Sequence, residues 1–105
     1  GIQFDVNKAI LKPESMGSIN EIVRIMKENS DLKFEIGGHT DSDGSTKRND
    51  ELSLQRAEAV KAMMVSLGID DERLTANGFG SSKPVVTNDS AENKARNRRV
   101  EFVKI

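Results

Sequence analysis

A chain of 105 residues with a formal net charge of −1 is long enough for one domain with a single modest core. Apolar residues make up 35% of it, aromatic residues 4% and charged residues 31%, which predicts a small aliphatic core beneath a highly charged surface. The near-zero net charge argues against a protein that coats nucleic acid, and no apolar run approaches membrane-spanning length. Because strand-like sequence follows Gly1 directly, we expect a single domain over residues 1–105 that was excised from a longer chain.

The residue types that the sequence lacks narrow the possible sites. Cys is absent, which excludes disulfides and thiolate metal sites, and His39 is the single histidine, so neither a metal nor another cofactor is predicted. Trp and Tyr are absent and the few Phe lie among apolar neighbours, so the stacking surfaces of glycan or single-strand nucleic-acid sites are not expected. We therefore expect charge and hydrogen bonds to hold the ligand.

The hydrophobic pattern predicts alternating strands and helices. After a short strand at residues 2–4, Pro13 begins a region of apolar spacing by three and four that predicts a helix to about Asn29. A half-buried strand over residues 32–36 ends at two glycines, and a second amphipathic helix ends before Gly68.

The rest of the chain is less regular. Residues 73–80 predict a weaker strand, Lys83-Pro84 starts a polar loop, and residues 100–105 predict a last strand. The strand–helix–strand start predicts a right-handed crossover with the first two strands parallel. We therefore predict an α+β fold, a two-layer α/β sandwich of order β-α-β-α-β-β, with a mixed sheet and the helices packed on one face.

The carboxyl ends of parallel strands share one edge of a sheet, where ligands commonly bind. In this chain that edge would collect residues 4–5, residues 40–41 and the N-terminus of the second helix. If the last strand runs antiparallel to its neighbours, residues 97–98 arrive there too. Four distant stretches are thus predicted to meet in one small place.

Arg56 stands out because it falls on the apolar stripe of the second helix, four residues after Leu52 and four before Val60. One interpretation is that its stem packs on the core while the guanidinium reaches solvent. The other is a planar clamp that holds a carboxylate at the rim of the core. The helical position alone leaves both open.

Asp41 lies in the polar loop before the second helix, where an aspartate often caps a turn. Placed beside Arg56, it would form a site of paired opposite charges, which suits a zwitterion with an amine and a carboxylate on one carbon. Asn49 could cap the helix or add a hydrogen bond to such a ligand, and a helix N-terminus favours an anionic group.

Three other kinds of site fit the sequence less well. Residues 41–44 resemble the start of a calcium loop, but the glycine comes too early and position twelve holds Leu52 instead of Glu. His39 has no second histidine or nucleophile arrangement, so a buried structural role is predicted instead of acid–base catalysis. The basic residues within 94–99 are interpreted as a solvated turn and not as a phosphate site.

The order and spacing of the motifs resemble one known family, the OmpA-like C-terminal domain of OmpA-, Pal- and MotB-type proteins, which associates with peptidoglycan. The resemblance covers essentially the whole chain, although Asn93-Lys94 stands where many members have Gly-Arg. The matching motifs are Phe4-Asp5, Leu11-x-Pro13, Ile36-x-Gly38-His39-Thr40-Asp41-x-x-Gly44, Asn49-x-x-Leu52-Ser53-x-x-Arg56-Ala57, Gly68-Ile69, Gly78-x-Gly80, Pro84, Asn88 and Asn97-Arg98-Arg99-Val100-Glu101.

The resemblance implies a non-catalytic domain, without a cofactor or metal, that binds peptidoglycan through the diaminopimelate residue of the stem peptide. It implies that Asp41 meets the ammonium of this zwitterionic residue and Arg56 its carboxylate, with Thr40 and Asn49 helping to line the pocket.

Three further residues match the family's site less closely: Asp5, Asn7 and Arg98. Of the two adjacent arginines, strand alternation favours Arg98 over Arg99, because it places Arg98 on the helix-covered face with Val100.

The resemblance also implies a setting, the periplasm of a diderm bacterium, in a protein that a segment outside this chain anchors in the outer membrane or envelope. No nucleic-acid partner is expected. An enzyme acting on the wall would need an acid–base pair or a metal that the sequence does not supply. A module that docks periplasmic proteins through the same fold, without binding the wall, stays open as the alternative.

Overall fold

The computed structural model describes residues 2–105, in which strands and helices alternate through the first three strands. Short 3-10 turns at Pro13–Ser15 and Asp71–Arg73 lead into the first helix and the third strand. The strands are β1 (Ile2–Gln3), β2 (Phe34–Gly38), β3 (Leu74–Gly78) and β4 (Arg99–Lys104), and the helices are α1 (Met16–Glu28), α2 (Thr46–Ser66) and α3 (Ala91–Asn97).

The four strands form one mixed sheet in the order β1-β4-β2-β3. β4 runs antiparallel to both β1 and β2, whereas β2 and β3 are parallel. β1 and β2 therefore point the same way, as predicted, but β4 lies between them. The α+β class and the two-layer arrangement are confirmed, and the start of β4 arrives at the carboxyl end of β2.

The helix α3 corrects the prediction of a polar loop after Lys83. Ser90 caps it, since its Oγ accepts a hydrogen bond from the Asn93 backbone N–H at 3.1 Å. Asn97, at its end, is fully buried, and its side chain accepts from the backbone N–H of Val85 and donates to the carbonyl of Val86. This seven-residue helix is thus stabilised by tertiary contacts, which cannot be predicted from its own short sequence.

The apolar faces of α1 and α2 cover one side of the sheet and form the core. No helix among residues 2–105 is long and apolar enough to cross a membrane. The buried core residues are Ile2, Phe4, Ile19, Val23, Met26, Ile36, Ala57, Val60, Met64, Ile69, Leu74 and Val100.

The helix α2 comes unusually close to the sheet because glycines pair beneath it. Gly38 of β2 lies opposite Gly78 of β3, and a Cβ on Gly38 would stand 1.8 Å from the carbonyl oxygen of Ser53. The Ser53 hydroxyl accepts a hydrogen bond from the Gly80 backbone N–H at 2.9 Å, which ties the helix to the segment after β3. This contact sets the depth of α2 one turn before Arg56.

We expect Gly38→Ala to destabilise the domain by about 3 kcal/mol or more, because the new methyl group meets backbone that has no room to move. The matched control is Gly17→Ala in α1, where nothing lies within 4 Å of the added Cβ. That variant should gain roughly 0.5 kcal/mol, since alanine favours a helix. Urea unfolding of both variants measures the difference, and equal stabilities would contradict the close approach.

His39 follows β2 and packs on the Phe79 ring, with centroids 5.3 Å apart and planes 17° from parallel. It is buried, and its Nδ1 has no hydrogen-bond partner in the described chain. Burial, followed by the charge of Arg99, lowers the pKa of His39 from 6.5 to about 4. The ring is therefore neutral at physiological pH, in keeping with the predicted structural role.

This pKa predicts a loss of stability in mild acid. The unfolded chain takes up a proton on His39 near pH 6.5 and the folded chain only near pH 4, so stability should fall by about 2 kcal/mol between pH 7 and pH 5. Arg99 lowers the pKa of the Glu101 carboxyl below 4.5, so that group contributes only in stronger acid. Urea unfolding of wild type and His39→Gln should show the slope in wild type alone; the same slope in both would refute this origin.

Candidate functional site

A small cleft opens where four segments of the chain meet at the carboxyl end of β2. The segment after β1, the loop after β2, the first turns of α2 and the residue before β4 all reach it, as the predicted topology requires. The cavity has a volume of about 90 Å³. Its lining residues are Val6, Asn7, Thr40, Asp41, Asp43, Gly44, Asn49, Leu52, Arg56 and Arg98.

Arg56 forms the floor of the cleft and is fully buried. Its Nε donates to the carbonyl of Lys8 at 2.9 Å, Nη1 to that of His39 at 2.9 Å and Nη2 to that of Asp5 at 2.8 Å. The Phe4 ring lies 5.2 Å from the guanidinium carbon. The guanidinium therefore neither reaches solvent nor stands free, and it binds the backbone of two segments together.

The carboxylate of Asp41 is also buried, and its partner is Arg98. Arg98 Nη1 donates to Asp41 Oδ2 at 2.9 Å, and the Asp43 backbone N–H donates to Oδ1 at 2.9 Å. The side chains of Asp41 and Arg98 are only 7% and 15% exposed, so solvent screens this ion pair weakly. The structure therefore places Asp41 and Arg56 in the same cleft without a direct hydrogen bond between them.

Thr40 and Asn49 both line the cleft and are both buried. The Thr40 hydroxyl donates to the Asp41 carbonyl at 2.9 Å, which fixes the loop next to the carboxylate. Asn49 does not cap α2; the cap is Ser45, whose Oγ accepts from the Arg48 backbone N–H. The Asn49 side chain is thus available to the cleft.

Asp5 and Asn7 lie in the rim segment between β1 and α1 but differ in what they present. The Asp5 side chain is exposed and its Oδ1 lies 2.9 Å from Lys12 Nζ, so Asp5 faces the site with its carbonyl only. That contact with Lys12 lowers the pKa of Asp5. Asn7 lines the cleft at φ +56°, a left-handed conformation that asparagine tolerates better than most residues.

Arg98 reaches the cleft and Arg99 does not. Arg98 Nε donates to the Phe4 carbonyl at 3.2 Å, beside its pair with Asp41. Arg99 lies on the other side of the strand and binds Glu101 Oε1 at 2.7 Å and the Lys83 carbonyl at 2.9 Å. The placement agrees with the alternation argument, although β4 itself begins only at Arg99.

The charges in the inner part of the cleft, where Arg56 and Asp41 are buried and Arg98 is half-buried, do not cancel. Arg56 and Arg98 carry two positive charges and Asp41 one negative charge. Burial, and then the neighbouring Arg98, lower the pKa of Arg56 to about 10, which still leaves it protonated at neutral pH. Asp43 also lines the cleft, but its side chain is exposed and paired with Lys94, so the excess positive charge belongs to the inner part of the cleft, which favours an anionic group.

The sequence did not predict that two apolar residues, Val6 and Leu52, line the cleft. Val6 is 55% exposed at the mouth and Leu52 lies buried at the floor, and neither carries a signal beyond hydropathy. Asp43 pairs with Lys94 of α3 at 3.1 Å. Lys94 belongs to the Asn93-Lys94 pair at which the chain differs from the resembled family, so this difference lies at the edge of the cleft.

Other concave regions offer less chemistry. A wider, open depression of about 690 Å³ lies between α2 and β3, where half-buried Lys61 pairs with exposed Asp71 at 3.2 Å. Within residues 2–105 no group of His, Cys, Asp or Glu side chains is arranged to bind a metal ion. The cleft at the end of β2 is the place where buried charge, polar side chains and the converging segments coincide.

Comparisons with known proteins agree with this architecture. The chain is 39% identical to outer membrane porin F of Pseudomonas fluorescens over 100 residues, which are 95% of this chain and 31% of the porin. The crystal structure of the peptidoglycan-associated lipoprotein from Burkholderia pseudomallei superposes with a TM-score of 0.95 at 27% identity, covering 99% of this chain and 88% of that one.

The cell wall anchor of the T6SS from Pseudomonas aeruginosa superposes with a TM-score of 0.80 at 31% identity, over 95% of this chain and 72% of the anchor. The chain spans about a third of the length of porin F, so it corresponds to one part of that protein. The model of the OmpA family matches residues 3–98. This chain belongs to the OmpA family.

Proposed function

We propose that the domain binds peptidoglycan without covalent chemistry, through the diaminopimelate residue of the stem peptide, and so tethers a larger protein to the cell wall. The observation that carries the proposal is the small cleft in which Arg56 and Asp41, buried and of opposite charge, lie together. Such a site suits a ligand with an ammonium and a carboxylate on one carbon.

The named relatives support this direction. One is described as peptidoglycan-associated and one as a cell wall anchor, and both share nearly the whole fold of this chain. Porin F is an outer membrane protein by name. We infer that this domain works in the periplasm, in a protein anchored in the outer membrane or envelope.

The roles of the site residues follow from their contacts. Asp41 receives the ligand ammonium, and Thr40 and Asn49 line the path beside it. Each terminal nitrogen of Arg56 carries two hydrogens and uses one for a carbonyl, which leaves one on each for a carboxylate. Because Arg56 is fully buried, direct contact requires the rim segment at Asn7 to open slightly.

A cleft of this size predicts modest affinity for a single stem peptide, since it offers the ligand few contacts and the ligand must displace Arg98 from Asp41. Tethering does not need tight single-site binding. Many copies facing a polymeric wall gain from multivalency, because each bound copy keeps its neighbours close to further ligands.

Isothermal calorimetry with two stem peptides tests the proposal. The diaminopimelate form should bind and the lysine form, which lacks the second carboxylate, should bind at least tenfold more weakly. Asp41→Asn keeps the shape of the side chain and its contact with the Asp43 N–H but removes the charge, so it should lower affinity for the diaminopimelate form about tenfold or more. Failure of the wild-type domain to bind either peptide would overturn the proposal.

Arg56→Lys tests the floor of the cleft. A lysine keeps the charge but cannot replace the three carbonyl bonds or the planar fork, so affinity should fall at least tenfold and stability by a few kcal/mol. Arg24→Lys is the control, because Arg24 is exposed and its partners Glu21 and Glu28 lie on α1 away from the cleft. Calorimetry and urea unfolding separate the two effects; undiminished binding by a folded Arg56→Lys domain would refute the clamp.

A further inference from the structure

The two arginines of the cleft are held side by side by consecutive carbonyls. Arg98 Nε donates to the oxygen of Phe4, and Arg56 Nη2 donates to the oxygen of Asp5, the next residue. Two like charges are thus fixed close together, with Asp41 as the one buried carboxylate that offsets them. The mutual repulsion also contributes to the lowered pKa of Arg56.

We propose that Arg98 is a specificity-determining residue, which makes the cleft reject ligands that carry an amine without a carboxylate. The inference deepens the proposed function and rests on it for the identity of the two natural ligands. Arg98 occupies Asp41 Oδ2 at 2.9 Å, so the carboxylate that an incoming amine would use is already paired.

Charge balance explains the selectivity. A lone amine adds a third positive charge beside Arg56, Arg98 and Asp41, which together already carry an excess of one positive charge, and it must compete with Arg98 for Asp41. A zwitterion brings its own carboxylate, which gives Arg98 and Arg56 a second anion to face while Asp41 turns to the ammonium. A lysine-type stem peptide therefore binds more weakly for two reasons: it has no carboxylate to contact the arginines, and its ammonium is repelled by their excess positive charge.

Neither Lys94 nor Arg99, two cations close to Arg98 in the sequence, has the same position. Lys94 pairs with Asp43, whose side chain is 64% exposed, so water screens that contact. Arg99 is buried but is committed to Glu101 on the other side of β4. Among these three residues, Arg98 combines a side chain that is only 15% exposed, a cleft-lining position and a direct bond to the carboxylate of Asp41.

The test compares the affinities of the diaminopimelate-type and lysine-type stem peptides for four versions of the domain. In Arg98→Gln the preference for the diaminopimelate type should shrink about tenfold or more, because the excess charge is gone and Asp41 is free. Arg98→Lys keeps the charge, and because Arg98 binds Asp41 through a single nitrogen, it should retain the wild-type preference within about threefold. Arg96→Gln removes the same charge from an exposed position of α3 outside the cleft and should leave the preference unchanged.

A second measurement does not depend on peptidoglycan. Acetate and methylammonium are titrated into the domain, and the backbone amide signals of Thr40 and Asn49 are followed by NMR. Acetate should shift them in wild type and methylammonium should not, whereas Arg98→Gln should lose this discrimination. The signals of the variant away from the cleft report whether it is folded.

The outcomes separate the inference from the function on which it builds. If wild type binds neither peptide, the proposed function fails, and the NMR titrations with acetate and methylammonium then test the role of Arg98 by themselves. An unchanged preference in a folded Arg98→Gln domain, for the peptides or for the ions, would overturn the inference. A loss of preference in Arg98→Lys as large as in Arg98→Gln would overturn its basis in charge.

Discussion

A buried guanidinium holds the cleft and the fold together at one point. Arg56 donates to carbonyls of Asp5 and Lys8 in the segment after β1 and to that of His39 at the end of β2. A buried charge is costly unless it is hydrogen-bonded, so none of these segments can move away without leaving the guanidinium unsatisfied. The shape of the cleft therefore depends on Arg56 before any ligand arrives. Its guanidinium does not reach solvent, which rules out one of the two interpretations of its helical position, and the carboxylate clamp stays a proposal.

The backbone of the sheet allows this arrangement. Gly38 and Gly78 lie opposite each other and leave room for α2 to rest directly on the strands at Ser53. A helix held at ordinary distance by side chains would carry Arg56 farther from the carbonyls it binds. Gly38 and Gly78 are thus needed for the close approach of α2, and this approach sets how deeply Arg56 is buried.

Much of the fold and the place of the site could be predicted from the sequence, because hydrophobic periodicity and the parallel-strand rule are local or topological signals. The hydrogen-bond partners of the charged residues could not be predicted from the sequence. Arg56 binds carbonyls, which every residue possesses, and Arg98 pairs with an aspartate 57 positions earlier in the chain. The helix α3 escaped prediction although Ser90 is a good capping residue, because seven residues give too little periodicity and the burial of Asn97 stabilises it from outside.

For the proposed ligand, the absence of Trp and Tyr from this sequence leaves charge as the main means of recognition, and charge alone discriminates poorly in water. The structure shields the ion pair of Asp41 and Arg98 from most of the solvent, and Arg56 beside it leaves one positive charge in excess. Burial strengthens each interaction, and the excess makes the sign of the ligand matter. A weak site of this kind can be selective without being tight, because selectivity depends on the difference between two ligands and not on the total binding energy of either. That combination suits a tether whose strength comes from the number of copies bound to a polymer.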